Sequence, residues 1–596
     1  MGKILRINLG SGKITTENID PELEKKYIGG AGVAAAIFIN EVPPNIDPFD
    51  EQNLLIFSVG PICGTAIPYC GRHFVMAKSP LTGILGESSA GGFFGNELKR
   101  TGYDHIIISG TSENPVYLWI YDDNVEIRDA TKLWGKGTRE TEDLLFTEIG
   151  DNKAKIATIG PAGENLVRFA CIISEQGHAA GRCGIGAVMG SKNLKAIAIR
   201  GTKEVPVNNK EKLLDVAQKI KKIAKTTPFS LAMHELGTPG HMDNYVSAGD
   251  VPIKNFTLSR WSGTKKIGFY ALKEQYELKL YSCFNCWTAC RGKVKYNDEW
   301  IEWPEYEFLA MMGSNLFVDN LEALVRWNIM INDLGMDCIS FGTVLGVFLE
   351  AIERKLIKVD YNKLKFEKNP ENNEYNIWGA NLVIENLIKL ITFRNEIGND
   401  LAEGVRLFCQ KYELPSDLHL HVKGLEIPGH EPRSNNMTAL DFATSSRGAY
   451  HGFEPFHLSF ATHFKKELGL IERIDAFSGG EDAINAVKKI QDACEAYTAT
   501  GGCIFGFFYS SEIKPWVNAV KAITGNSYTV EEWVQIGENL FNMKRDYNIK
   551  CGITSKDDLL SPRFSVPIPK GGTKKNVPPL KEMLQTYYDL RGWNKD

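Results

Sequence analysis

The chain has 596 residues, 43% hydrophobic and 24% charged, with a formal charge of −5. Its pI near 6.2 excludes a broad basic face for nucleic acid, and its length predicts three or four domains at roughly 150 residues each. No apolar run approaches a bilayer span and the opening MGKILRINLG has no secretory stretch, so a cytoplasmic protein without a membrane span is expected.

Up to about Val207 the chain is glycine-rich and carries short β-like runs, HIIISG, VYLWIYDD, KAKIATIG and LKAIAIRG, separated by turn residues. Beyond it, apolar residues recur at intervals of three and four in NNKEKLLDVAQKIKKIAKTT, DNLEALVRWNIMINDLG and EDAINAVKKIQDACEAY, a helical pattern. The polar stretch KFEKNPENNEYN reads as a surface loop, and Pro415 marks a soft boundary before DLHLHVKGLEIPGHEPRS. The expected fold is α/β in the α+β sense: a β-sheet-rich N-terminal domain (1–208) followed by two mainly helical domains (209–415 and 416–596).

Twelve cysteines are scattered without the dense even spacing of a disulfide framework. Cys283, Cys286 and Cys290 form a C-x2-C-x3-C run in YSCFNCWTAC. Paired short knuckles are usual for zinc, whereas three close thiols and one distant thiolate suit a [4Fe–4S] cubane, which the spacing favours. For the distant ligand, Cys503 follows a glycine pair where backbone can approach a cluster, while Cys494 sits mid-helix and reads as a small core residue. Two helices end in turns of one form, NDLGMD at 332–337 and TATGGC at 498–503, each with a glycine placed for a left-handed cap.

The cysteine run, WPEYEF after it, both turns, GRHFVMAKSPLTG and AGRCGIGAVMGSKNLKAIAIRG together resemble, in the same order, the aldehyde ferredoxin oxidoreductases, the tungsten–bispyranopterin enzymes. The resemblance implies that Cys283, Cys286, Cys290 and Cys503 hold a [4Fe–4S] cluster and that Arg72 lies between cluster and pterin, where a planar, permanently charged donor is suited to sulfur and phosphate oxygens. It implies pterin-cradling loops at SSAGGFFG, with Ala90, Gly91 and Gly92, and at AGRCGIG, with Arg182 and Cys183; glycine lets backbone approach phosphate and the Mg2+ joining two pterins. Asn332, Gly335, Met336, Asp337 and Gly502 match the cofactor-binding turns. Glu307 and His451 match the acid–base pair beside the metal. Taken singly these residues have ordinary readings: Arg72 a surface arginine, Glu307 a solvated helix-start residue, His451 a loop or core histidine. Glu305 is expected to face outward.

The chain departs from the family pattern where Asn332 and Thr498 replace the aspartates opening the two turns, which removes charge from the cofactor environment. The stretch RWNI, Arg326 to Ile329, lacks the E-x-x-H of an interface metal site. Cys338 is an unassigned thiol, read as structural. The implied activity is oxidation of an aldehyde to the carboxylic acid by tungsten, or by molybdenum bound to the same dithiolenes. Electrons would leave through the cluster to ferredoxin or a small iron–sulfur subunit in a homo- or hetero-oligomer. The alternative is the tungsten subunit of a low-potential reductase similar to the class II benzoyl-CoA reductases; a third reading, a cluster-bearing scaffold, requires empty pterin loops.

Overall fold

The computed structural model describes residues 2–453, 464–470, 474–510 and 512–594. All four β-like runs form strands. Six strands, β1 (Lys3–Asn8), β2 (Lys13–Asn18), β3 (Leu55–Ser58), β4 (His73–Lys78), β5 (Leu85–Ala90) and β6 (Tyr103–Ser109), make a sheet in the order β2-β1-β6-β3-β4-β5. A second six-stranded sheet is built from β7 (Val116–Tyr121), β8 (Asn124–Asp129), β9 (Lys155–Thr158), β10 (Ile172–Ser174), β11 (His178–Ala180) and β12 (Leu194–Arg200), in the order β11-β10-β9-β12-β7-β8. Among the described residues only β1–β6 and β7–β12 pair in parallel. The inner strands β3 and β4 are buried at every position, so they read as continuous rather than alternating apolar runs.

The helical patterns are helices. Lys210–Thr226 is capped by Asn209, whose side chain accepts from the Lys212 N–H, and Leu321–Leu334 by Asn320, which accepts from Ala323 N–H. Glu481–Thr498 buries the face containing Ala483, Val487, Ile490 and Cys494. The asparagine-rich stretch lies largely exposed, pinned by one bridge between Lys368 and Tyr375.

Within this mainly helical part of the chain, the region of the cysteine run is a small sheet. β13 (Leu278–Tyr281), β14 (Arg291–Tyr296) and β15 (Glu299–Glu302) form a three-stranded antiparallel sheet, and the cysteines occupy the connection between β13 and β14. This connection packs on a core built from the C-terminal helices and the Ile67–Cys70 segment, while the second sheet and the helix Cys338–Glu353 belong to another. The cysteines therefore sit on the core that joins chain from both ends. Among the described residues no helix is long and apolar enough to cross a membrane.

Candidate active site and cysteine cavity

Cys283, Cys286, Cys290 and Cys503 line one small cavity of about 60 Å³ together with Arg72, Gly91, His178 and Phe505. Local hydrogen bonds hold the cysteine connection in place. Phe284 N–H donates to Gly92 O (3.1 Å), Tyr69 N–H to Asn285 O (3.2 Å) and Cys503 N–H to Tyr69 O (2.9 Å). The Asn285 amide donates to Ala66 O and Ile67 O (2.8 and 2.9 Å), and Asn285 and Ala289 adopt left-handed φ values of 47° and 45°. Ala90 ends β5 opposite His73, so Arg72 and Gly91 meet across paired strands; a Cβ on Gly91 would lie 2.9 Å from Cys283 Sγ. Cys494, by contrast, is buried inside its helix and lines no part of this cavity.

Burial pushes the Cys283 thiol up to about 11 and raises Cys286 and Cys290 further, so these sulfurs ionise at neutral pH only beside added positive charge. Among the described residues no three His, Cys, Asp or Glu side chains close on a point as a mononuclear metal site requires. The four thiols instead surround a volume. Arg72 donates through Nη1 to Ser89 Oγ (2.9 Å), and its Nε has no partner among the described residues. Burial opposes its charge, but Cys503, Tyr450 and Cys283 hold it firmly protonated.

Asp337 caps the helix Cys338–Glu353, accepting from Ile339 N–H (3.0 Å) and Ser340 Oγ (2.8 Å). Its Oδ2 lies 3.1 Å from Arg182 Nε without hydrogen-bond geometry, and Arg182 Nη2 donates to Glu426 O (2.7 Å) while Nη1 has no partner among the described residues. Cys183 turns at a φ of 69° beside Arg182, and its carbonyl accepts from Ser79 Oγ (2.8 Å). Gly335 has the predicted left-handed φ, 76°, and the turn is stitched to the second sheet by Cys171 N–H to Gly335 O (2.9 Å) and an Ala170–Met336 bridge. Gly502 packs directly against Tyr497, where a Cβ would lie 2.4 Å from the phenol. The two replaced aspartates end differently: Asn332 Nδ2 reaches Asn328 Oδ1 at 3.4 Å, and Thr498 Oγ1 donates back to Glu495 O at 3.0 Å.

Glu307 and His451 line a second cavity of about 190 Å³, walled by Phe229, Met233, Tyr245, Tyr306 and Phe505. Phe505 borders both cavities. Glu307 Oε2 accepts from Gly429 N–H at 2.8 Å, and a Cβ at 429 would lie 2.7 Å from that oxygen and displace it. Glu307 Oε1 lies 3.5 Å from His451 Nε2 and 3.4 Å from His430 Nε2, in neither case with hydrogen-bond geometry. Burial raises the Glu307 pKa against the opposing effects of His430, the Gly429 N–H and Arg182. His451 is pushed well below its ordinary value by burial and then by His430 and Arg182, so its ring is neutral at pH 7.

Sequence reasoning missed His430 and misplaced Glu305. Glu305 is not outward-facing: it lines the Glu307 cavity and accepts from Thr238 Oγ1 and from Trp303 Nε1 (3.1 Å), with Arg291 Nε 3.6 Å away. The chain bends between the two residues, because Glu305 is the extended residue before the short helix Tyr306–Phe308, so both carboxylates reach the pocket. His430 lies in the quoted stretch DLHLHVKGLEIPGHEPRS but is brought to Glu307 only by the fold.

Residues 4–201 match the N-terminal domain of the aldehyde ferredoxin oxidoreductases, and residues 215–596 match domains 2 and 3 of the same proteins. The tungsten-containing aldehyde ferredoxin oxidoreductase of Pyrococcus furiosus is 36% identical over 600 residues, covering 100% of this chain and 96% of that protein. An aliphatic sulfonate oxidoreductase WOR-like subunit from the same organism is 30% identical over 638 residues, covering 100% and 94%. Among solved structures, the active-site complex BamBC of benzoyl coenzyme A reductase with 1,5-dienoyl-CoA matches with a TM-score of 0.84 at 26% identity, covering 100% of this chain and 94% of that one. Matched along nearly its whole length, this chain belongs to the aldehyde ferredoxin oxidoreductase family and is an oxidoreductase of that type.

Proposed function

We propose that this chain oxidises a small aldehyde to its carboxylic acid with a tungsten bispyranopterin and passes the electrons through a [4Fe–4S] cluster to ferredoxin or an iron–sulfur partner. The observation that carries the reading is the Glu307 carboxylate set between two imidazoles in a pocket that shares Phe505 with the four-cysteine cavity. Cys283, Cys286, Cys290 and Cys503 would hold the cluster, whose iron supplies the positive charge that the sulfurs of Cys283, Cys286 and Cys290 require to ionise. Arg72 and Arg182 would hold the pterin phosphates: Arg182 is buried and Arg72 partly so, and their guanidinium nitrogens without partners among the described residues are suited to an anionic group. Mg2+ would join the pterins at the glycine loops.

When bound, the tungsten cofactor supplies the two-electron oxidation of the aldehyde hydrate. Glu307 takes a proton from water or hydrate at Oε1, its other oxygen being fixed by Gly429. His451, neutral and 3.5 Å from the same oxygen, donates to the substrate oxygen where charge develops. The aromatic walls exclude water from the reacting carbon. A volume of about 190 Å³ suits a small aldehyde, since drug-sized ligands occupy roughly 300–1,000 Å³.

The second reading, reduction of an aromatic thioester within a larger complex, is supported by the likeness to the benzoyl coenzyme A reductase complex. An anaerobic screen of aldehydes and acyl-CoA thioesters against a viologen dye, on metal-analysed protein, separates the two. Aldehyde-dependent dye reduction is expected. Reaction with thioesters alone, or a stable multi-subunit complex inert to aldehydes, would favour the reductase.

A further inference from the structure

We propose that His430, held by Asp250, relays the proton taken up by Glu307 out of the active-site pocket. The inference rests on the acid–base reading of Glu307. Asp250 Oδ2 lies 2.6 Å from His430 Nδ1, and a carboxylate accepts, so Nδ1 carries the ring proton and Nε2 is left as the basic nitrogen. That nitrogen faces Glu307 Oε1 at 3.4 Å. Asp250 is itself held: its Oδ1 accepts from Ser434 Oγ at 2.8 Å and its carbonyl from Glu431 N–H at 2.7 Å. The imidazole is restrained between Tyr245 and Tyr306, with ring centroids at 5.6 and 5.2 Å.

His451 approaches the same oxygen but has no such support, because its Nδ1 has no hydrogen-bond partner among the described residues. Of the two imidazoles, only His430 is shown with a carboxylate behind it to stabilise an imidazolium. Oxidation of an aldehyde hydrate to the acid releases two electrons to the metal cofactor and cluster, and two protons. Glu307 Oε1 accepts the two in turn; each time the O–H bond breaks as His430 Nε2 takes the proton, the resulting cation is paired with Asp250, and it loses that proton to water at its exposed edge, 12% of the side chain, before the next arrives. Among the described residues, Asp250, Glu307, His451, Tyr245 and Tyr306 surround His430, Glu305 and His241 line the same pocket, and Arg182 and Asp337 act on Glu307.

The test uses the infrared carbonyl band of protonated Glu307, assigned by its loss in Glu307→Gln and titrated against pH in the holoenzyme. His430→Phe should move the midpoint upward, because it removes the base that competes with Glu307 for the proton. Asp250→Asn should move it in the same direction and serves if the first variant folds poorly. His430→Gly should slow turnover by about 10²-fold, the lower end of acid–base contributions, and added imidazole should restore part of it. An unmoved midpoint in both His430→Phe and Asp250→Asn would overturn the relay even in an enzyme that oxidises aldehydes. A slow His430→Gly enzyme that imidazole does not rescue would overturn it too. A moved midpoint in an enzyme inert to aldehydes would preserve the His430–Glu307 coupling and remove the aldehyde reading instead.

Discussion

Glu307 presents one oxygen to a backbone N–H and the other to two imidazoles. Removing the base while keeping the volume, in Glu307→Gln, should lower turnover by about 10²–10⁴-fold, roughly 3 to 5 kcal/mol of barrier, with metal and iron content unchanged. The loss should appear in kcat more than in KM. Glu305 cannot serve as the neutral control, since it lines the same pocket and is bonded to Thr238 and Trp303; the exposed Glu299, paired only loosely with Arg139, can. Among the sulfurs, Cys503→Ala should lose cluster iron on metal analysis while Cys494→Ala, at a core position, should retain it. The reverse pattern would move the fourth ligand to the helix.

The turns that end two long helices carry residues we assign to the cofactor, and each depends on a left-handed glycine. At Gly501, with a φ of 88°, a Cβ would fall 2.5 Å from Cys63 Sγ and 2.8 Å from Gly60 N. Gly501→Ala therefore meets both a left-handed penalty of about 1–2 kcal/mol and a clash. A lowered thermal midpoint together with reduced iron is expected, and wild-type values for both would show that the turn adapts. The three-stranded sheet around the cysteines had a legible signal that helical periodicity obscured. KVKY and EWIE flank Asn297 and Asp298, both at positive φ (49° and 65°), the two-residue turn that closes a hairpin. Its strands are short and partly exposed, so they lack the continuous apolar runs that marked β6, β7 and β12.

Across the whole molecule, burial of ionisable groups ties stability to pH. His105 lies in the first sheet, fully buried, and neither ring nitrogen has a partner among the described residues; burial lowers its pKa to about 4 from 6.5. The unfolded chain therefore binds a proton that the folded chain refuses. The stability this histidine contributes is complete above pH 6.5 and is lost as pH falls towards 4, at about 1.4 kcal/mol per unit. Thermal midpoints between pH 8 and pH 5 should fall less in His105→Asn than in the wild type. An identical slope in both would mean that the imidazole titrates with a solvent-like pKa in the folded protein.

The sequence by itself determined which stretches become strands or helices, where the left-handed turns fall and which thiols are candidates, because these depend on periodicity, capping and spacing within a few residues. The likeness to known oxidoreductases was legible for the same reason, as ordered local motifs. Only the tertiary structure decided what meets in the pocket. Asp250, Glu307, His430 and His451 lie far apart along the chain, and no local pattern specifies their approach; the packing that brings Gly429 against Glu307 does. It also turned Glu305 inward, because burial of a carboxylate is governed by the partners that the fold supplies, Thr238, Trp303 and Arg291, rather than by its place beside a helix start.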